Sequence, residues 1–312
     1  MQKKKLEEEI KVRIVSPSAN VLDESEAKEL IEKAEKVLKN NSILFDYSKH
    51  FNGKRSFLSG TAEERAEDIM EAFKDKKIRA IISSQGGDNS NDLLDLLDYN
   101  LISHNKKPFF GLSDITVLLN VISLKSKIIT YHGLDFLWGL GKNATEYTEN
   151  ILNSFLKKGK LDIIKNPNTN KWRTIIPGQG EGIFLGGCLA SFSLLLGTKY
   201  DPLEILDSPY ILILEDIGEE KSVIKSKLTQ IKQHKKFHLC RGIILGSFAF
   251  CEQKQKENDV TIEELAKEVF IDSNIPIARI EEIGHCVENI IIPIGGKGKF
   301  SCNGNLVSLE FL

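Results

Sequence analysis

Short apolar runs that stop at glycine- or serine-rich turns, each followed by an amphipathic helical stretch, recur along the first half of this 312-residue chain. Lys11-Val12-Arg13-Ile14-Val15 reads as a strand ended by Ser16-Pro17. From about Glu24 to Asn40, the residues Ala27, Leu30, Ile31, Ala34, Val37 and Leu38 share one helical face. Thr61, with Glu64 three residues on, predicts a capping box opening a helix that buries Ala66, Ile69, Met70 and Phe73. Ala80-Ile81-Ile82 is a short buried strand, Asn91 to Leu97 a further helix, and Pro108 to Gly111 a strand that stops at Leu112-Ser113. Strand, turn and helix in this order predict a parallel sheet covered on both faces. Ligands gather at the carboxyl ends of such strands. Two loops fall there, Gln85 to Asn91 and Gly111 to Thr116.

Between Lys157 and Gly180 the texture shifts to Lys, Asn, Pro and Gly, as in Lys165-Asn166-Pro167-Asn168. A boundary placed here divides the chain into a charged extension (1–10), an N-terminal α/β domain (11–155), a linker (156–180) and a C-terminal α/β domain (181–312). The last begins with Gly182 to Gly187 and a helix through Leu195, followed by strands at Tyr210–Leu214 and Gly242–Leu245. Pro293 to Gly296 and Leu306 to Phe311 read as its closing strands. The fold class expected is α/β: a Rossmann- or flavodoxin-like parallel sheet, then a smaller unit with a mixed sheet.

Composition narrows the functions available. With 41% apolar and 28% charged residues and a formal net charge of −2, no global field favours nucleic acid or an anionic membrane. The N-terminus lacks a secretory h-region, and no apolar run reaches the roughly 18 residues of a membrane span. Five scattered cysteines without a CxxC pair argue against a disulfide framework and a structural zinc site, and for a reducing cytoplasm. His234 and His238 have metal-ligand spacing, but the lysines between them point to a solvated helix end. No cofactor and no metal are expected.

Gly111-Leu112-Ser113-Asp114-Ile115-Thr116 is the strongest local feature. A serine on a sharp strand-to-helix turn projects its hydroxyl above the sheet, and the next N–H, that of Asp114, can receive an oxyanion. Ile115 stands where a G-x-S-x-G elbow has glycine, and Ser113 can equally be a helix N-cap. Gly86-Gly87-Asp88-Asn89-Ser90-Asn91 is not a P-loop. Its backbone makes Gly87, then Gly86, candidates for the other oxyanion donor, with Asn89 and Ser90 as candidate substrate contacts. Glu215 ends the apolar run Tyr210 to Leu214, as a partnered buried carboxylate or as the start of a loop. His285 has glycine before it; if its segment is extended, Cys286 points to the opposite face and is packing.

Together these motifs resemble the LD-carboxypeptidase family of serine peptidases, which includes the microcin C self-immunity peptidases. The resemblance runs from Val12 to the end of the chain. It rests on Ser59-Gly60-Thr61 with Glu64-Arg65, Gly86-Gly87 with Ser90-Asn91, Leu97-Asp98-Tyr99, Gly111 to Thr116, Leu185-Gly186-Gly187, Leu214-Glu215-Asp216, and Gly284-His285 with Glu288-Asn289. It implies a Ser113–His285–Glu215 triad and a cytoplasmic, commonly dimeric amidase. The substrate it implies is a murein tetrapeptide losing its terminal D-alanine, or a peptidyl or aminoacyl nucleotide antibiotic. Trp172 or Trp138 can stack a nucleobase in the second case or serve as packing in either. A non-catalytic ligand-binding protein is the reading of another class. Cys286-Val287 stands where the family leads one to expect Gly-Pro.

Overall fold

The computed structural model describes residues 10–158, 171–251, 259–304 and 306–312. In the first half, strands β1 (Lys11–Val15), β2 (Leu44–Tyr47), β3 (Ala80–Ser83), β4 (Phe109–Gly111) and β5 (Thr130–His132) alternate with helices α1 (Ala27–Asn40), α2 (Ala62–Lys74), α3 (Tyr99–His104), α4 (Thr116–Ser126) and α5 (Glu146–Lys158). The strands lie in the order β5-β4-β3-β1-β2, all parallel. That is the flavodoxin-like order, with its switch between β1 and β3. The period-two alternation of strand side chains divides the core. Ile14, Ile82 and Phe110 face a cluster with Leu30, Ala34 and Leu38 of α1. Val15, Ile81 and Phe109 face Ile69 and Phe73 of α2 and Val117 and Val121 of α4.

The second sheet is mixed. It contains β6 (Trp172–Ile176), β7 (Gly178–Cys188), β8 (Tyr210–Ile217), β9 (Cys240–Ala249), β10 (Ile277–Ile280), and, after a strand β11 (Ile292–Ile294), β12 (Lys297–Asn303) and β13 (Leu306–Phe311). Its order is β13-β12-β7-β8-β9-β10-β6, with β7 to β10 parallel and β12, β13 and β6 added antiparallel. Leu212, Leu214, Ile243 and Leu245 pack under the helices α6 (Leu189–Ser193), α7 (Pro202–Ile205), α8 (Lys221–Gln233) and α9 (Ile262–Phe270). No helix among the described residues is long and apolar enough to cross a membrane.

Three sequence expectations change. Strand β11 pairs antiparallel with β5, so Pro293 and Ile294 complete the first sheet rather than closing the second. The C-terminal stretch therefore serves both sheets. Residues 171–180 are not connecting chain: Trp172–Ile176 pairs with β10, and Gly178 already opens β7. The Lys165 to Asn170 stretch of the expected linker, and residues 1–9, lie outside the described residues. Asn91 to Leu97 is not a regular helix; a single 3-10 turn, Ser90–Leu93, stands there. The capping box at Thr61 forms as expected, the hydroxyl accepting from the Glu64 N–H while Glu64 accepts from the Thr61 N–H.

Candidate active site

Ser113 sits where β4 turns into α4, and its φ is +62°. Left-handed backbone is costly for a residue with a Cβ, and such strain gathers at functional turns. The residue at the N-cap position is Leu112, which supplies no side-chain cap, so capping is not the role of Ser113. The turn is held from below. The Asp114 carboxylate, buried, accepts the Ser18 hydroxyl at 2.6 Å and the Ser90 N–H at 2.9 Å, and the Ser90 hydroxyl donates to the Asp114 carbonyl at 2.7 Å. Burial pushes the Asp114 carboxyl above the usual range, against the pull of these bonds.

This network corrects the role expected of Ser90. Both its polar groups are spent on Asp114, and it braces the turn instead of meeting a ligand. Asn89 is exposed, with left-handed backbone, and its carbonyl accepts from the buried Arg65 guanidinium. Gly86 packs directly on the serine: a Cβ there would overlap the Ser113 Cβ and lie 2.8 Å from its Oγ. Gly87 has φ +134° and would meet Ala19 in the same way. Only glycine lets this loop lie against the serine.

Glu215 and His285 come together in the second domain. Glu215 is fully buried near the end of β8, and its Oε2 takes the His285 Nδ1 at 2.6 Å and the His285 backbone N–H at 3.2 Å. A carboxylate can only accept, so Nδ1 carries the proton and Nε2 is the basic nitrogen. For Glu215, burial alone would raise the carboxyl, but the charge and hydrogen bond of His285 prevail and hold it low. For His285, burial alone would lower the imidazolium, but the charge and hydrogen bond of Glu215 prevail and raise it. Asn289 fixes the turn, its Oδ1 accepting the Gly284 N–H at 2.6 Å and its Nδ2 donating to the Gly284 carbonyl at 2.7 Å. Gly284, φ +117°, leaves room for Glu215, since a Cβ there would lie 2.5 Å from Oε2.

The serine is joined to this pair through its own helix. The Thr116 hydroxyl accepts the Cys188 N–H at 3.0 Å, and Cys188 is the register partner of Glu215. Among the described residues, no hydrogen bond links the Ser113 hydroxyl to the His285 ring. The structure thus brings Glu215 to His285 and places Ser113 on the adjoining strand end, across the seam between the two sheets.

Two expectations at the site are overturned. The segment at His285 is a turn with Cys286 at φ +61°, so it is not extended, and Cys286 is exposed rather than packed. A positive φ at residue 286 is the conformation glycine adopts freely. Trp172 is 2% exposed, its indole N–H donated to Glu282 at 2.8 Å, so its ring is unavailable for stacking. Trp138, half-buried, instead stands beside the Gly86 loop, its N–H reaching Gln85 at 3.2 Å. His234 is no solvated helix end either, for its Nε2 lies 3.2 Å from both Asp201 and Glu204.

Sequence reasoning missed three neighbours of the pair. His132, at the end of β5, is fully buried with its Nε2 3.8 Å from the Glu215 Oε1. Asp135 accepts the Trp138 and Gly139 N–H groups at 2.8 Å each, and burial pushes its carboxyl up to about 6. Asp216 accepts the Ala190 N–H at 3.0 Å at the start of α6, and burial likewise pushes it up to about 6. The sequence carried one hint: Leu214-Glu215-Asp216 places two carboxylates at the end of a buried strand.

Known proteins resemble this chain in sequence and in fold. Residues 12–133 match the model of the LD-carboxypeptidase N-terminal domain, and residues 181–300 that of the LD-carboxypeptidase C-terminal domain. The "Probable murein peptide carboxypeptidase" of Bacillus subtilis is 28% identical over 249 residues, covering 80% of this chain and 77% of that protein. The microcin C7 self-immunity protein MccF of Escherichia coli is 28% identical over 274 residues, 78% of each chain. The crystal structure of an MccF-like protein from Bacillus anthracis superimposes with a TM-score of 0.84 at 28% identity, covering 98% of both chains.

Proposed function

The chain belongs to the LD-carboxypeptidase family and is a serine-type carboxypeptidase, and from that premise we propose that Ser113, His285 and Glu215 form its catalytic triad. The observation that carries the reading is the buried Glu215–His285 pair, 2.6 Å apart, and it is supported by the strained turn of Ser113, whose helix bonds Cys188, the register partner of Glu215. His285 Nε2 takes the hydroxyl proton as Ser113 Oγ attacks the scissile carbonyl, then gives it to the departing amine. Glu215 fixes the tautomer and stabilises the imidazolium. The N–H groups of Asp114 and Gly87 face the oxyanion, each donor worth about 3 kcal/mol in serine hydrolases. Water, deprotonated by the same imidazole, releases the acyl group. In free serine hydrolases the nucleophile–base contact is often long and tightens on binding.

The proposed substrate is a murein tetrapeptide cut at its L–D bond, releasing the terminal D-alanine. A second reading, an aminoacyl or peptidyl nucleotide, is favoured by the likeness to the MccF-like structure over 98% of both chains and by Trp138 beside the Gly86 loop. Action as a homodimer in the cytoplasm belongs to the same proposal, and the mass in solution from sedimentation equilibrium tests the first part of it. A fluorophosphonate probe should label the wild type and not Ser113→Ala. Incubation with a muropeptide tetrapeptide and, separately, an aminoacyl-sulfamoyl adenosine, read by mass spectrometry, then assigns the substrate. Labelling of Ser113→Ala would refute the nucleophile. Labelling of wild type with neither product formed would refute both substrates and leave the chemistry standing.

A further inference from the structure

Glu215 has two oxygens, and the triad uses one. Oε2 is saturated by the Nδ1 and backbone N–H of His285, whereas Oε1, fully buried, receives no hydrogen bond among the described residues. Opposite it, 3.8 Å away, is Nε2 of His132, also fully buried and also without a partner. Two complementary buried groups left unmade are costly, and a shift of about 1 Å brings them into hydrogen-bond range.

We propose that His132 is a positioning residue of the reaction, donating its Nε2–H to Glu215 Oε1 and so holding the carboxylate in the orientation in which Oε2 receives His285. The inference rests on the triad reading above. Burial lowers the His132 imidazole to about 4, the charge of Glu215 opposing and that of His285 assisting, so the ring is neutral and has one N–H to give. The surroundings select which nitrogen bears it. His132 Nδ1 and the Thr116 Oγ1 both border Gly187, lying 3.0 and 2.5 Å from where a Cβ would stand. Nδ1 receives no hydrogen bond among the described residues, and Glu215 Oε1 can only accept, so the pair is satisfied only by the tautomer that carries its proton on Nε2. Gly187, at φ +128°, keeps this space open. The end of β5, where His132 stands, is thereby tied to the carboxylate that orients the base.

The test uses the full chain. In ¹⁵N-histidine NMR of the wild type, the resonances that disappear in His132→Gln should show a protonated Nε2 and an unprotonated Nδ1, unchanged from about pH 5.5 to 8. His132→Phe keeps the ring and removes the donor; kcat and the rate of fluorophosphonate labelling at Ser113 should fall at least about tenfold, with KM changed less than about twofold. His132→Gln, whose amide N–H reaches the place of Nε2, should stay within about threefold of wild type. A protonated Nδ1 would overturn the proposal, as would a folded His132→Gln as slow as His132→Phe, or a folded His132→Phe at the wild-type rate. If His132→Phe does not fold, the wild-type tautomer and the Gln variant decide. Absence of labelling in the wild type would instead overturn the triad reading and this role with it, a failure distinguishable because the tautomer is read without substrate.

Discussion

Replacing Glu215 by glutamine keeps the shape of the side chain and removes its charge, which isolates what the charge does for His285. In the resting enzyme Oε2 lies 2.6 Å from Nδ1, with no exposure of the carboxylate to water. The charges are spread over a ring and a carboxyl group, so their centres are about 4 Å apart. At an effective dielectric of about 20, that separation gives about 4 kcal/mol of attraction for the imidazolium that forms as the serine attacks. A neutral amide forfeits it, so kcat should fall about 10³-fold, with KM within about threefold. The acidic limb of the rate should move as well. Glu215 raises the His285 imidazolium above its ordinary value, so the wild-type limb lies above about pH 6.5 and should shift downward in the variant. Stability has its own sign. Because Glu215 is held low in the fold, its ionic contribution is present above the unfolded value of about 4.3 and fades as pH falls through the lower folded one. Any difference in melting temperature should therefore shrink in acid. Stopped hydrolysis assays and probe labelling, each across pH, read these effects. A folded Glu215→Gln enzyme within about threefold of wild-type kcat, with an unmoved acidic limb, would refute the role assigned to the pair.

Gly86→Ala should cut the probe-labelling rate by about 10², because the new Cβ displaces a serine whose Oγ would be 2.8 Å away; a rate within about threefold of wild type would show that the loop yields at no cost. Cys286→Gly relieves a positive φ and should raise stability by up to about 1 kcal/mol in urea melts with kcat unchanged; a loss of stability would mean the thiol makes contacts that matter. Residues 1–158 expressed alone lack β11, so β5 is left as an unpaired buried edge, and the fragment should aggregate unless residues 159–312 are supplied in trans. A soluble fragment with a dispersed proton NMR spectrum would count against that coupling.

What was legible in the sequence is what local chemistry dictates. Val12, Ile14 and Val15 are buried from both sides and read as a strand without help. The Thr61–Glu64 box needs only four residues, and a serine between a strand and a helix is visible from its neighbours. Strand β2, Leu44–Tyr47, escapes because it is an edge with no fully buried residue, and the apolar run Ile43-Leu44-Phe45 is cut short by Asp46. Strand β5 is three residues, too short for periodicity to register, whereas β11 reads as a strand but its sheet is set by a partner, β5, far away in sequence. The mistake at Cys286 came from assuming an extended segment, since a left-handed residue that is not glycine leaves no mark in the sequence. His132 was invisible for another reason. Its importance depends on Glu215, which is distant in sequence, and nothing near Thr130-Tyr131-His132 says that a carboxylate will lie opposite.

The placement of β11 explains how residues from two sheets can be held to the tolerance a proton transfer demands. The stretch that carries His285 leaves β10 in the second sheet and enters β11 in the first, where Ile292 is the register partner of His132. It is pinned at both ends and again at its middle by Asn289. Ser123 on α4 adds a further tie, its hydroxyl donating to the Ile294 carbonyl at 2.9 Å. The proposed base, His285, is thus attached to the sheet of Ser113 by backbone pairing and to Glu215 in the other sheet by a short hydrogen bond. A hinge that opened the seam would have to break the β5–β11 ladder first, and a buried ladder is costly to break. The adjustments left to the site are those of side chains and of the turn at residues 284–286, on the scale of an ångström. In the proposed mechanism, a reacting pair has to be held to that same tolerance as the substrate binds.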